Sequence, residues 1–207
     1  MNLSVIHTYA EDFKNHESAY DSFLNQISTS DSPALINMGY EPPAGLAYLA
    51  TNNVRWTKNN GEIAFLHNDT TGSIVGVSGV EHSTLTDKLG SGGNRCWVLP
   101  DYRTHNEVTR FLLSANLQWC ESQDKLGMLL TFNDYNKWIY TAIAKLSSGK
   151  GAAFGNVWSD WWNDCVVLPR KISLFNTPQW AVIKPLTYKT EILRLVEELD
   201  NEHGMAE

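Results

Sequence analysis

Hydrophobic and polar positions follow two periods along this chain, and the switches between them mark out its elements. From Glu17 to Ile27 the residues Tyr20, Phe23, Leu24 and Ile27 fall on one stripe of period 3.6, which predicts a helix in the N-terminal part. Ser28 to Ser32 reads as a loop and Pro33 to Met38 as a short strand. Glu41-Pro42-Pro43-Ala44-Gly45 reads as a turn, because two prolines remove two donors and fix φ. Ile63-Ala64-Phe65-Leu66, a polar Asn68-Asp69-Thr70-Thr71-Gly72 and a β-rich run from Ser73 to His82 predict an antiparallel hairpin over Gly61 to His82. Leu89-Gly90-Ser91-Gly92-Gly93 reads as a flexible connection.

The segment from Asn94 to Lys145 carries the densest signal. Arg95 to Leu99 predicts a strand closed by Pro100, and Asp101-Tyr102-Arg103-Thr104-His105-Asn106 a polar turn. A helix follows from about Glu107 to Glu121, with Val108, Phe111, Leu112, Ala115 and Trp119 on one face. Leu126 to Phe132 predicts the next strand. Asn133 to Asn136 opens a second helix running to about Leu146, with Ile139, Ala142, Ile143 and Leu146 aligned. A strand that delivers a polar turn to a helix N-terminus forms an anion site from backbone N–H groups and the helix dipole.

Ser147 to Ala152 reads as a loop, and Trp158, Trp161 and Trp162 follow in a polar setting. Cys165 to Leu168 and Trp180 to Ile183 predict strands. Thr190 to Asp200 predicts a terminal helix, with Ile192, Leu195, Val196 and Leu199 on one stripe. No repeat and no linker interrupts the order, so residues 1–207 are expected to form a single domain of a mixed sheet with helices packed on it.

The chain has 207 residues, 43% hydrophobic and 19% charged, as in an ordinary globular protein. Its formal net charge of −7 argues against nucleic acid or acidic lipid as partner, since no basic surplus exists to displace counterions. Cys96, Cys120 and Cys165 form no CxxC pair and no disulfide framework; Cys96 in a strand and Cys120 in a helix are expected to act as small buried hydrophobes. The first seven residues predict no signal peptide, and no run of about 18 apolar residues predicts a membrane span. The cytoplasm is the expected compartment.

Several residues carry candidate chemistry. Glu81 and His82, at the end of the hairpin, suit a general base, or simply a solvated strand end. Asp101 suits a role at the open sheet end or a turn cap. Arg103 can grip a pyrophosphate as a bidentate fork, or pair with Asp101 or Glu107. Asn133 and Asn136 can bond a ligand amide or cap the helix. The tryptophans suit a pocket wall or a small core. Six histidines show neither HxH nor HxxxH spacing, so no metal is expected. No Gly-x-Ser-x-Gly elbow and no Walker loop is present.

In their order, four pieces resemble the GNAT superfamily of acyl-CoA-dependent N-acyltransferases, over roughly Gly61 to Pro185. They are Ile74-Val75-Gly76-Val77-Ser78-Gly79-Val80, Val98-Leu99-Pro100-Asp101-Tyr102-Arg103, Phe111-Leu112-Leu113, and Phe132-Asn133 with Asn136. The resemblance implies an α/β (α+β) fold: a mixed, mostly antiparallel sheet with helices on both faces and a central splayed strand pair near Leu99 and Phe132. It implies acetyl-CoA as donor, with the pantetheine arm on main-chain groups of Val98 and Leu99 and the pyrophosphate on Arg103, Thr104, His105, Asn106, Glu107 and Val108. Asn133 and Asn136 would also serve the cofactor. An amine, on a small molecule or a peptide, would attack the acyl carbonyl directly, with Glu81 or His82 as base and Tyr140 as acid.

Three departures stand beside it. Asn106 and Val108 replace the small residues of the family's phosphate turn, and Glu107 sets a carboxylate there. Ile143 occupies the position of the family's usual tyrosine acid, and only Ser148-Gly149 stands for its closing Gly-Phe. A catalytically degenerate module that binds a ligand or protein is the alternative, and an aminoacyl donor a third reading. Exposed sheet edges leave room for a homodimer.

Overall fold

The computed structural model describes residues 2–9, 12–30, 61–103, 107–149, 160–174 and 177–203. They group into two compact units, residues 1–81 with 93–116 and residues 82–92 with 117–207.

In the first unit the alternating runs become strands β1 (Leu3–Thr8), β2 (Glu62–Asn68) and β3 (Ser73–His82), joined by antiparallel ladders. The β2–β3 turn closes on Gly72, whose φ of +68° sends its N–H back to Asn68 O at 2.8 Å. That conformation is open to glycine without a Cβ penalty. β4 (Leu89–Val98) continues the order on the far side of β3. Helix α1 (Glu17–Ser30) buries Tyr20, Phe23, Leu24 and Ile27, with the Tyr20 ring 5.5 Å from that of Phe65. Helix α2 (Val108–Ser122) lies on the opposite sheet face, where a Cβ on Gly76 would stand 3.1 Å from Leu112 Cδ1. Phe65 and Leu66 are successive residues of β2 and Leu66 pairs with Gly76, so the pleat itself puts α1 and α2 on opposite faces.

In the second unit β5 (Gly127–Phe132) pairs in parallel with β4 over Leu89–Ser91, and antiparallel with β8 (Thr177–Pro185) over its whole length. The short strands β6 (Val166–Val167) and β7 (Ile172–Leu174) also pair antiparallel with β8. Helix α3 (Lys137–Ser147) buries Ile143 and Leu146, and α4 (Lys189–His203) buries Ile192, Leu195 and Leu199. The sheet is mixed and mostly antiparallel. Among the described residues the one parallel ladder covers three residue pairs and ends at Ser91 and Leu129.

Three expectations change here. Leu89–Gly93 is the start of β4 rather than a flexible connection. Its glycines answer a packing demand: a Cβ on Gly90 would stand 2.3 Å from Cys120 Sγ. The N-terminal part carries the edge strand β1 as well as a helix, and β7 adds a strand that the pattern did not signal. The strand expected over Pro33–Met38 and the turn at Glu41–Gly45 lie outside the described residues.

Candidate functional site

The end of β4 builds the first half of the candidate machinery, within the first unit. Pro100 stops the strand, and a single 3-10 turn, Pro100–Tyr102, redirects the chain through Tyr102 N–H to Leu99 O (2.9 Å) and Arg103 N–H to Pro100 O (3.1 Å). That turn brings Arg103 back onto its own strand. Its Nε donates to Val98 O at 2.8 Å, and its guanidinium carbon lies 5.6 Å from the centre of the Trp97 ring. Tyr102 is pinned by its hydroxyl, which accepts from Asn68 Nδ2 at 2.9 Å. Glu107 is exposed and its carbonyl accepts Phe111 N–H, while Val108 is buried as the first residue of α2. Thr104, His105 and Asn106 lie outside the described residues.

The main-chain directions of Val98 and Leu99 differ. Leu99 N–H donates to Val75 O of β3 at 2.9 Å, so it faces β3. Successive residues of a strand direct their main-chain groups to opposite sides, so Val98, and Cys96 before it, point away from β3. Of the two residues expected to hold a pantetheine arm, Leu99 faces β3 and Val98 faces the other way. Cys96, which the sequence offered only as a buried hydrophobe, joins Val98 on that side.

Glu81 and His82 are consecutive on β3, and the pleat sends them to opposite faces. The Glu81 side chain is buried and that of His82 is exposed. In the second unit the His82 ring meets the Trp119 ring edge-on, with centroids 5.1 Å apart.

The other expected residues lie in the second unit. Asn133 caps the 3-10 turn Asp134–Asn136: its Oδ1 accepts Asn136 N–H at 3.0 Å. Asn136 is the N-cap residue of α3 and makes no side-chain cap bond. Tyr140 donates its hydroxyl to Leu168 O at 2.7 Å and sets its ring 4.9 Å from that of Trp180. Burial pushes the phenol above its ordinary pKa. The single proton of Tyr140 is thus committed to a main-chain carbonyl, which counts against its expected part as acid. Trp180 is also flanked by Lys137 Nζ at 4.5 Å and Lys171 Nζ at 5.2 Å, and its indole N–H donates to Asp134 Oδ1 at 2.9 Å. Trp161 and Trp162 are buried and pack edge to face, and Lys184 Nζ donates to Trp161 O and Asp164 Oδ1, both at 2.6 Å.

Sequence reasoning missed a polar network in the first unit. Ser78 and Asn116 are both fully buried, one on β3 and one on α2. Ser78 Oγ donates to Asn116 Oδ1 at 2.5 Å, and Gly93 N–H donates to the same oxygen at 3.1 Å. Gly93 has a φ of +64°. A Gly-Gly pair inside a strand is the one sequence signal that pointed there, since glycine takes a positive φ without a Cβ penalty. Among the described residues no three His, Cys, Asp or Glu side chains gather as a metal-ligand set, and no helix is long and apolar enough to cross a membrane.

No protein-family model matches this sequence, and no curated protein matches it. Solved structures do. A GNAT-family acetyltransferase from Staphylococcus aureus Mu50 superposes with a TM-score of 0.54 at 14% identity, over 90% of this chain and 100% of its own. A chimeric spermidine N-acetyltransferase from Vibrio cholerae superposes with a TM-score of 0.52 at 10% identity, over 93% of this chain and 99% of its own. The chain has the GNAT fold.

Proposed function

We propose that this chain is an N-acetyltransferase that moves the acetyl group of acetyl-CoA to an amine by direct attack. The observation that supports this reading best is the strand–turn–helix unit at the end of β4. There Arg103, on the turn that leads toward α2, is held by Val98 O and the Trp97 face. A guanidinium on the turn preceding a 15-residue helix suits a pyrophosphate through its fork of donors, and the start of that helix through its N–H groups and dipole. The buried Val108 leaves the helix start without the small residue that usually lets a phosphate approach closely, so Arg103 carries more of the contact.

The donor arm pairs with the main chain of Cys96 and Val98, the residues that point away from β3. Val98 O already accepts from Arg103, so the arm uses the Val98 N–H and the second lone pair of that oxygen. The acceptor arrives as an ammonium and must lose a proton before it attacks. Glu81 and His82 are the two candidates for the base, and because they face opposite sides of β3 only one of them can serve. The net charge of −7 favours a cationic acceptor through long-range attraction.

Isothermal titration of acetyl-CoA, with free CoA alongside, tests the reading. Micromolar binding, on the order of −8 kcal/mol, that is lost in Arg103→Ala supports it. No binding at millimolar acetyl-CoA rejects it in favour of a module that has kept the fold without the donor. If binding holds, turnover of Glu81→Gln and His82→Gln with a panel of amines identifies the base.

A further inference from the structure

The turn that carries Arg103 is tied to the tip of the β2–β3 hairpin. Tyr102, the last residue of the 3-10 turn, accepts a hydrogen bond on its phenol oxygen from Asn68 Nδ2 at 2.9 Å. Asn68 ends β2 and is itself held in place. Its Oδ1 accepts Thr70 N–H at 2.9 Å, and its main-chain oxygen accepts Gly72 N–H at 2.8 Å. The first of these bonds also fixes which end of the amide meets the phenol. With Oδ1 turned to a main-chain N–H, the donor nitrogen is the atom presented to Tyr102.

Tyr102 is therefore fixed at two points. Its ring packs against the core cluster that includes Val75, Val98 and Leu99, and its hydroxyl is bonded to the hairpin. Arg103, the next residue, is exposed and has little burial of its own to hold it. A single 3-10 turn, whose hydrogen bonds are poorly aligned, is a weak support for so long a side chain. A swing of Tyr102 would carry the Arg103 main chain with it. The guanidinium would then leave Val98 O, which it meets through Nε at 2.8 Å, and the Trp97 face.

We propose that Tyr102, braced by Asn68, is a positioning residue for the pyrophosphate of the donor. The brace keeps the turn in the setting that aims the Arg103 fork, and it acts through Arg103 rather than by contact with the donor. The inference rests on the acetyl-CoA reading above. It adds to that reading a reason why one exposed arginine keeps its aim beside a helix start that lacks a small residue. A guanidinium ordered in advance binds more tightly because less must be ordered when the ligand arrives.

A second background separates positioning from general damage. Acetyl-CoA is titrated calorimetrically into wild type, Tyr102→Phe and Asn68→Ala, and into Arg103→Lys with and without Tyr102→Phe. Lysine keeps the charge but has neither the fork nor the Nε bond to Val98 O, so it has no aim for the brace to preserve. The expected result is a loss of affinity of about fivefold in Tyr102→Phe and a similar loss in Asn68→Ala, against less than about twofold for Tyr102→Phe in the Arg103→Lys background. The NMR signal of the Arg103 Nε–H reads the aim directly, and its exchange with water is expected to be faster in Tyr102→Phe than in wild type. Equal losses in the two backgrounds, or no loss in Tyr102→Phe, overturn the inference and leave the acetyltransferase reading in place. So do a folded Asn68→Ala with wild-type affinity and an Nε–H that exchanges no faster. A wild type that does not bind acetyl-CoA overturns that reading and the inference with it. If Asn68→Ala does not fold, because Thr70 N–H has lost its acceptor, Tyr102→Phe in the two backgrounds decides.

Discussion

The hydroxyl of Tyr140 donates to the main-chain oxygen of Leu168 across 2.7 Å, which ties helix α3 to the residue that follows β6. Removing the hydroxyl leaves that carbonyl without this donor, in a partly buried setting. Tyr140→Phe is therefore expected to lower unfolding stability by about 1 kcal/mol in urea titrations. In an acetyl-transfer assay its kcat should stay within about twofold of wild type, because the phenol O–H is directed at a main-chain carbonyl and would have to leave it to reach a departing thiolate. A fall of about tenfold or more would return Tyr140 to the reaction as its acid.

Glu62 offers a test by pH. Its Oε1 lies 2.8 Å from His7 Nδ1, and its other carboxyl oxygen is buried without a hydrogen-bond partner. Burial pushes the carboxyl above the ordinary carboxylate range, and the charge and hydrogen bonds of His7, with the hydroxyl of Tyr9, offset only part of that shift. The folded state then holds this proton to higher pH than the unfolded chain does. The group's contribution to stability is complete below the ordinary range and is lost as pH rises through the raised value. Glu62→Gln keeps a carbonyl for His7 and cannot ionise. Comparing urea midpoints between about pH 4 and pH 8, the wild type should lose stability relative to the variant as pH rises. A difference that stays flat, or runs the other way, contradicts the assignment.

Gly90 tests the packing that sets the start of β4. A Cβ there would stand 2.3 Å from Cys120 Sγ and 3.4 Å from Trp119 Cζ3. Gly90→Ala is expected to cost about 1–3 kcal/mol by overpacking, and Gly90→Ala with Cys120→Ala to recover much of it, since removal of the thiol vacates the contact. Thermal unfolding of the single and double variants measures the coupling. Additive losses would show that the glycine serves some other need.

The sequence by itself determined the elements whose cause is local. The β2–β3 hairpin follows from alternation on either side of a polar turn ending in Gly72. Helices α2, α3 and α4 follow from their 3.6-residue stripes, and the turn at Pro100 from a ring that cannot continue a strand. The order of those pieces was enough to foretell the GNAT fold. Tertiary structure alone decided the rest, because it depends on partners distant in the chain. Leu89–Gly93 reads as a loop until Cys120 and β5 are beside it, and Leu3–Thr8 becomes a strand through its pairing with β2. Glu81 and His82 look like interchangeable candidates for one base, yet the pleat of β3 sends them to opposite faces. The Tyr140 hydroxyl looks available until it is seen donating to Leu168 O, and Gly93 N–H finds its acceptor on Asn116, 23 residues further along the chain. A hydrogen bond between residues so far apart leaves no period in the sequence, since periodicity records only which face a residue occupies and not what it meets there.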